Sequence, residues 1–435
     1  MEKEKNIIIF VMQMTEKMAE DVKAYAKKTG KKYRVMLLWD SRVKGVEKKK
    51  GYDILVSCNF GKPNSIAEAL LPYQDELLAI TCRGDNQVGH FRDVLPHVPY
   101  LRTPTTESLR WATDKYEMRK RFRLYDPKIT PRFTKVESNS KKERERVISK
   151  IGLPLIVKPT NLGGSMFVAI CYHEEEFEQT LKTIFRKIRK AYEKDRRTET
   201  PTIIAEQFME GDMYSVDSYV DSRGTVYHCP LVKITTGKQI GHDDFFGYKQ
   251  TTPTGLGEKS VKKARKVTET AIRALGLRST STHTELMKID DDWKVIEIGP
   301  RLGGFRDTLY GLSCDIEHTM NDILIRIPQK PVIPKKCKGF ATAIKWYSDK
   351  EGKIVEMKGI KKIEELKSFH SIQVNKKVGD RAVFARHGGR SIFNVFLYNA
   401  NRSDLLADIR RLEKMVKIKV EGRNGKTPKR VLKRK

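Results

Sequence analysis

The segments His283-Thr-Glu-Leu-Met-Lys-Ile289 and Trp293-Lys-Val-Ile-Glu-Ile298 flank the acidic triplet Asp290-Asp291-Asp292. Folded as a hairpin centred on Asp291, they set Ile289 against Trp293, Met287 against Val295 and Glu285 against Glu297. Opposed side chains of an antiparallel pair share a face, roughly 4.5–5.5 Å apart at Cβ. Two carboxylates that close repel unless one is protonated or a cation lies between them. Oxygen ligands on rigid strands suit Mg2+, which takes one or two carboxylates and fills its shell with water and phosphate oxygens. Mn2+ is an acceptable substitute. The alternative is a surface hairpin with two solvated glutamates. The largely apolar residues on both faces favour a buried pair.

Directly after Glu297 comes Ile298-Gly-Pro-Arg-Leu-Gly-Gly304. Arg301, four residues beyond a metal-binding carboxylate, can reach the same phosphate, and its planar fork suits a phosphoryl or carboxylate group. Gly303 and Gly304 let the backbone pass close to a ligand. Upstream, Lys158 ends an apolar strand, where a charge is costly unless neutralised; a nucleotide phosphate is the expected partner. The loop holding Gly163, Gly164 and Ser165 can offer amides to phosphates. Lys115, in a basic helix, is a second phosphate candidate. Ile203-Ile-Ala-Glu-Gln-Phe-Met-Glu-Gly211 reads as a strand running into a turn, with Glu206 and Phe208 suited to an adenine and ribose pocket. His283 is either an orienting group on the metal face or a satisfied core histidine. Arg306 is either a holder of a substrate carboxylate or a surface salt-bridge partner.

These residues need elements to position them. In the first hundred residues, short apolar runs at 6–14, 33–39, 53–58 and 77–81 alternate with helical patterns such as 16–28, which implies a parallel sheet. No Gly-x-Gly-x-x-Gly follows the first run, so nothing there points to a dinucleotide. A helix is expected over 108–124, a strand over 129–136 and a basic helix over 140–151. Strands follow at 153–159, 202–209, 213–220 and 225–234. The stretch 237–257, rich in Gly, Thr, Pro and Asp, reads as a long mobile loop. A helix over 259–275 leads into the hairpin. The last hundred residues bring short strands, a helix at 403–416 and a basic end. The fold class is α/β, α+β in parts.

The chain of 435 residues is long enough for several domains. It has no apolar run that spans a bilayer and no pattern of a secretory signal. Six scattered cysteines without a CxxC pair are expected to be free thiols in a reducing compartment, the cytoplasm. The net charge of +31 would attract nucleic acid or acidic partners, but the basic residues are spread along the whole chain and no RNA-binding motif accompanies them. A nucleic-acid role is therefore the minority reading.

Taken in order, Lys115, Val157-Lys158-Pro159, Gly163-Gly164-Ser165, Ala205-Glu206-Gln-Phe208 with Gly211, His283-Thr-Glu285 and Glu297-Ile-Gly-Pro-Arg301-Leu-Gly-Gly304 resemble the ATP-grasp pattern. The chain looks most like the carboxylate–amine ligases of that superfamily, the bacterial L-amino acid ligases and carnosine-synthase-type dipeptide ligases, over about residues 104–420. The resemblance implies a Rossmann-like pre-ATP-grasp domain (1–107) and an ATP-grasp domain (108–330, divided into a lid-bearing part, 108–200, and a metal-binding part, 201–330). A small C-terminal domain (331–422) and a disordered basic tail (423–435) would follow. It implies that Lys115 and Lys158 bind ATP phosphates, that Glu206 and Phe208 lie at the adenine hinge, that Asp212 stands near the ribose, and that Glu285 and Glu297 bind Mg2+. Arg301 would steady the transferring phosphoryl group. The family's usual asparagine two residues past the second glutamate is Gly299 here, and Met213 stands where an acid is common. The activity implied is amide formation from a small carboxylate and an amine through an acyl phosphate, with ATP converted to ADP and phosphate. Two rivals remain: a ligase acting on a protein or ribosomal acceptor, and a nucleotide-binding, RNA-associated protein without catalysis. The oligomeric state is left open.

Overall fold

The computed structural model describes residues 4–163, 165–194, 200–242 and 245–421. The expected basic tail at 423–435 and Gly164 lie outside them.

Five consecutive apolar residues, all buried, form strand β1 (Ile7–Val11). It pairs in parallel with β2 (Arg34–Asp40) and β4 (Leu77–Cys82), and β2 pairs with β3 (Ile54–Cys58), giving the order β3-β2-β1-β4. Near-continuous apolar strands are what a sheet covered on both faces requires. Helix α1 (Glu16–Thr29) is capped by Thr15 and ends at Gly30, whose φ of 67° is left-handed. Helices α2 (Ser65–Leu70) and α3 (Val88–Val94) complete the unit. The turn between β4 and α3 carries Asp85.

The single helix expected over 108–124 is two. Helix α4 (Thr106–Thr113) stops at Asp114, and α5 (Lys115–Tyr125) starts there. The Asp114 carboxylate accepts the N–H groups of Tyr116 and Glu117, the bonds of a helix N-cap. The break places Lys115 at the first position of α5. Four antiparallel strands follow: β5 (Phe133–Val136), β6 (Leu155–Pro159), β7 (Ala169–Cys171) and β8 (Ile203–Gln207), in the order β5-β8-β6-β7. Helices α6 (Lys141–Ile151) and α7 (Glu174–Lys194) bury Val147, Ile151, Phe177, Leu181 and Ile184 against this sheet.

The large sheet contains nine strands among the described residues. Its members are β9 (Asp212–Val220), β10 (Val226–His228), β11 (Val232–Thr236), β12 (Gly247–Thr252), β13 (Thr280–Ile289), β14 (Asp292–Gly299), β15 (Phe340–Trp346), β17 (Phe369–Val374) and β19 (Phe393–Asn399). Their order is β14-β13-β9-β11-β12-β15-β19-β17, with β10 paired to β9. Helix α8 (Glu258–Ala274) packs against β13 and β14. Helices α9 (Arg306–Cys314) and α10 (His318–Leu324) follow the hairpin, and Met320, Ile323 and Leu324 of α10 join the core of the first sheet. A small sheet of β16 (Gly352–Lys358), β18 (Arg381–Ala382) and β20 (Lys417–Glu421) lies beside it with α11 (Arg402–Met415).

Two expectations are corrected. Residues 247–252, read as part of a mobile loop, form a strand inside the sheet between β11 and β15. Its buried residues Tyr248, Gln250 and Thr252 alternate, but two of them are polar, so no apolar period was visible. The sheet runs on unbroken from the hairpin into residues 340–399. Finally, Cys314 and Cys337 form a disulfide, so only Cys58, Cys82, Cys171 and Cys229 are free. These two lie 23 residues apart and meet because the chain entering β15 returns to the end of α9, where the Lys338 N–H bonds to the Ser313 carbonyl. No helix among the described residues is long and apolar enough to cross a membrane.

Candidate active site

The hairpin brings Glu285 of β13 directly opposite Glu297 of β14, as the spacing predicts. The route differs from the expected one. At the tip Ile289 pairs with Asp292 and Lys288 with Trp293, one residue out of the expected register, and Leu286 rather than Met287 faces Val295. A bulge between Glu285 and Leu286 takes up the offset. Lys115 reaches across from α5 to Glu297, with Nζ 3.1 Å from Oε2, and also bonds to the Leu162 carbonyl. Lys115, Glu297, Asp85, Asn161 and Gly163 line a cavity of about 100 Å³. Among the described residues no three metal-ligating side chains cluster. Two opposed carboxylates nevertheless fit Mg2+, whose remaining positions go to water and phosphate.

Lys158 is buried beside a protein carboxylate: Nζ lies 2.8 Å from Glu206 Oε2. Glu206 also receives Nε of Arg119 at 2.8 Å, while the same guanidinium bonds to the carbonyls of Val295 and Ile296. Burial would raise the Glu206 carboxyl, yet the charges of Arg119 and Lys158 outweigh it and hold it down to about 2. Burial, with Arg119 and Lys115 nearby, lowers Lys158. The Glu206 side chain is thus paired with two protein cations. Phe208 follows β8 and donates its N–H to the Pro154 carbonyl. Asp212 pairs with Lys233 at 3.2 Å, both half exposed, and so has a protein partner where a ribose contact was expected. Gly163 comes shortly after β6, and Ser165 begins a turn with φ of 60°.

His283 is a buried histidine within a hydrogen-bonded network centred on Asp217. Its Nδ1 donates to Asp217 Oδ1 at 2.7 Å, and its Nε2 lies 3.7 Å from Glu285. The other Asp217 oxygen accepts the Gly303 N–H at 2.6 Å and His318 Nε2 at 3.1 Å, and Tyr219 bonds to the far nitrogen of His318. Burial opposes charge on both members, but each favours the ionised form of the other, so His283 is raised and Asp217 held well below the carboxylate range. Glu285 is likewise lowered: burial is outweighed by the His283 contact and by Arg301 and Arg306.

Arg306, expected at the surface or on a substrate, is 1% exposed and tied to protein atoms: Gln250 Oε1 at 2.6 Å, Ser215 Oγ at 2.8 Å and Asp217 at 3.7 Å. Gly303 is also closely packed by protein atoms. A Cβ there would stand 2.5 Å from His283 Nδ1 and 2.6 Å from Arg306 Cγ, whereas one on Gly304 would meet nothing within 4 Å. Arg301 turns to the first sheet, where Nε and Nη2 grip the two oxygens of Asp85 at 2.6 and 2.5 Å.

Three participants escaped the sequence reading. Asp217 was a single charge inside a strand pattern, Ser-Val-Asp-Ser, which is a usable signal for buried charge. Arg119 is one cation among many in its helix, and Asp85 sits in a turn with nothing to mark it.

A lobe bearing a buried lysine, set against a sheet bearing two opposed carboxylates, has the layout of the ATP-grasp fold. Residues 151–309 match the family described as "ATP-grasp domain". As a whole it shares the fold of L-amino acid ligase from Bacillus licheniformis, with a TM-score of 0.73, 16% identity and coverage of 97% of this chain and 100% of that one. It shares it also with N5-carboxyaminoimidazole synthetase from Staphylococcus aureus, at a TM-score of 0.68, 15% identity and coverage of 94% and 98%. By sequence it is similar to alanine–anticapsin ligase of Bacillus subtilis, 26% identical over 47% of this chain and 44% of that protein. It is also similar to the uncharacterized protein y4rH of Sinorhizobium fredii, 25% identical over 54% and 47%. The chain spans about half the length of the curated relatives it matches.

Proposed function

We propose that the protein is an ATP-dependent carboxylate–amine ligase acting on amino acids or small carboxylates through an acyl phosphate. The observation that carries this reading is the opposition of Glu285 and Glu297, with Lys115 reaching Glu297 from the facing lobe. Relatives named as ligases of alanine and of L-amino acids support amino-acid substrates. Glu285 and Glu297 would hold Mg2+, which when bound offsets the charge of the phosphates. Lys115 and Lys158 would bind phosphate oxygens, and Arg301 would hold the transferring group.

A carboxylate oxygen attacks the γ-phosphorus in line, the bond to the β-phosphate oxygen breaks and ADP leaves. Such transfer asks the protein chiefly for position and charge. An amine nitrogen then attacks the acyl carbon, phosphate departs with the bonding pair, and the nitrogen loses its proton to give the amide. The cytoplasm is the expected compartment.

The test is Mg2+-dependent phosphate release from ATP over pairs of amino acids and small carboxylates, with hydroxylamine as the trapping amine. Phosphate and hydroxamate formed together with one carboxylate are the expected result. ATP binding without release across the whole panel overturns the reading.

A further inference from the structure

Between α5, the turn that follows it and the outer edge of β5 lies a groove of about 460 Å³. It shares no lining residue with the cavity at Lys115. Lys115 and Tyr116 are adjacent in the chain, but successive residues of a helix point about 100° apart. One therefore faces Glu297 and the other the groove. Tyr116 and Phe133 set their rings edge to face, 5.8 Å between centres, and Pro127 and Pro131 extend this apolar floor. Around it stand Arg123 of α5, Arg132 before β5 and Lys150 of α6, all exposed. Arg146 fixes the wall by donating to the Thr134 hydroxyl and the Lys135 carbonyl.

None of the residues lining the groove is acidic. Other cations of the surrounding helices have carboxylates: Lys120 has Glu117, Arg146 has Glu143, Arg144 has Glu174 and Lys182 has Glu178. Arg123, Arg132 and Lys150 have none within ion-pair distance among the described residues. Neither has Lys135, whose ammonium stands 4.8 Å from the centre of the Tyr116 ring. The guanidinium of Arg123 lies 5.0 Å from the centre of the Phe133 ring. Asp126, three residues from Arg123, accepts the Lys128 N–H and closes the turn instead. Like charges held around one opening repel one another, and a polyanion relieves that repulsion.

We propose that this groove binds a single strand of nucleic acid, with phosphates on Arg123, Arg132, Lys135 and Lys150 and bases over the apolar floor. Unpaired cations beside aromatic rings suit a single strand, whose backbone is charged at every nucleotide and whose bases each offer a flat face. The sequence spreads its excess of positive charge along the chain; the fold sets several of those charges, unmatched, around one opening. The proposal is independent of the ligase reading, since the groove contains none of the residues assigned to ATP, metal or the phosphoryl group.

The test is fluorescence anisotropy of the full chain with labelled oligouridylate, and in a second arm labelled oligothymidylate, over a range of salt. Binding of either strand is expected, and the tighter of the two tells RNA from DNA. The triple variant Arg123→Gln/Arg132→Gln/Lys150→Gln should raise Kd about tenfold or more. It should also flatten the slope of log K against log salt by about 2, because each lost contact to a single strand accounts for about 0.7. A control with the same loss of charge, Lys27→Gln/Lys31→Gln/Lys32→Gln at the end of α1, should keep both Kd and slope. All of these side chains are exposed, so both variants are expected to fold as the wild type does. Saturating ATP and Mg2+ should leave the wild-type Kd unchanged, and polyglutamate should compete far less well than unlabelled oligouridylate. Equal weakening in both triple variants reduces the effect to net charge and overturns the proposal. Displacement by ATP overturns it by moving the strand to the Lys115 cavity. Polyglutamate competing as well as the oligonucleotide overturns it in favour of an acidic protein partner. The wild-type arms decide even where a variant fails to fold, and no binding of either strand overturns the proposal outright.

Discussion

Asp85 and Arg301 meet across the boundary between the first sheet and the large one, in a two-point contact of 2.6 and 2.5 Å. They fill the space beside Gly299: a Cβ there would lie 3.4 Å from Asp85 Oδ1 and 3.5 Å from Arg301 Nε. An amino-terminal residue thereby aims the arginine assigned to the phosphoryl group. Asp85→Asn keeps the shape and removes the charge. It is expected to lower phosphate release by about 10- to 100-fold, the scale of a misplaced catalytic group. The circular dichroism spectrum should match wild type. Unchanged turnover in this variant would leave Arg301 independent of the first sheet.

Glu297→Gln keeps the volume of the side chain and discards one of the two opposed charges. Phosphate release from ATP should fall about 100-fold or more, while the melting temperature stays close to that of the wild type, because Glu297 is partly exposed. Mn2+ binding followed by electron paramagnetic resonance in the presence of ADP should weaken in parallel. A folded variant with near-normal turnover would remove Glu297 from the metal site.

Gly303→Ala forces a methyl group among His283, Arg306 and Asp217, all buried, with His283 and Arg306 both paired to Asp217. Overpacking of this kind costs about 1–3 kcal/mol. Gly304→Ala enters open space and should be near neutral. Chemical denaturation of the two variants side by side makes the comparison, and equal losses would contradict the packing described for Gly303.

Glu206 gives the fold an acid dependence whose sign is fixed. Its folded-state carboxyl lies at about 2, below the ordinary 4.5, because Arg119 and Lys158 outweigh burial. A depressed carboxyl contributes stability above its unfolded value and loses it as pH falls through the folded one. The contribution is on the order of 3 kcal/mol at neutral pH, and it should fade between about pH 4.5 and 2. Glu206→Gln leaves two buried cations unmatched and should cost about 3–5 kcal/mol at pH 7. Its denaturation midpoint should also vary less with acid than that of the wild type, and an identical acid slope would speak against the assignment.

The sequence was most readable where side-chain period and chemistry coincide. The opposition of Glu285 and Glu297, the Lys-Pro end of β6 and the helix over 16–28 all stand where the residues place them. It was least readable where buried groups are polar. Thr252 and Gln250 hid a central strand as a loop, and Asp114 divided what looked like one helix. The partners of Lys158 and Arg306 lie tens of residues away in the chain, so a buried charge could be foreseen but not the carboxylate that neutralises it. The disulfide between Cys314 and Cys337 had no spacing signal for the same reason.

The bulge beside Glu285 has a consequence for how this hairpin can change over time. Because the extra residue is absorbed there, the tip at Asp290 and Asp291 keeps a register of its own. Lengthening, shortening or recolouring the tip need not pass a one-residue slip down to the two acids, which would otherwise rotate one of them off the shared face. With the offset taken up beside Glu285, the inner end holds the two acids opposed although the tip is one residue out of register with them.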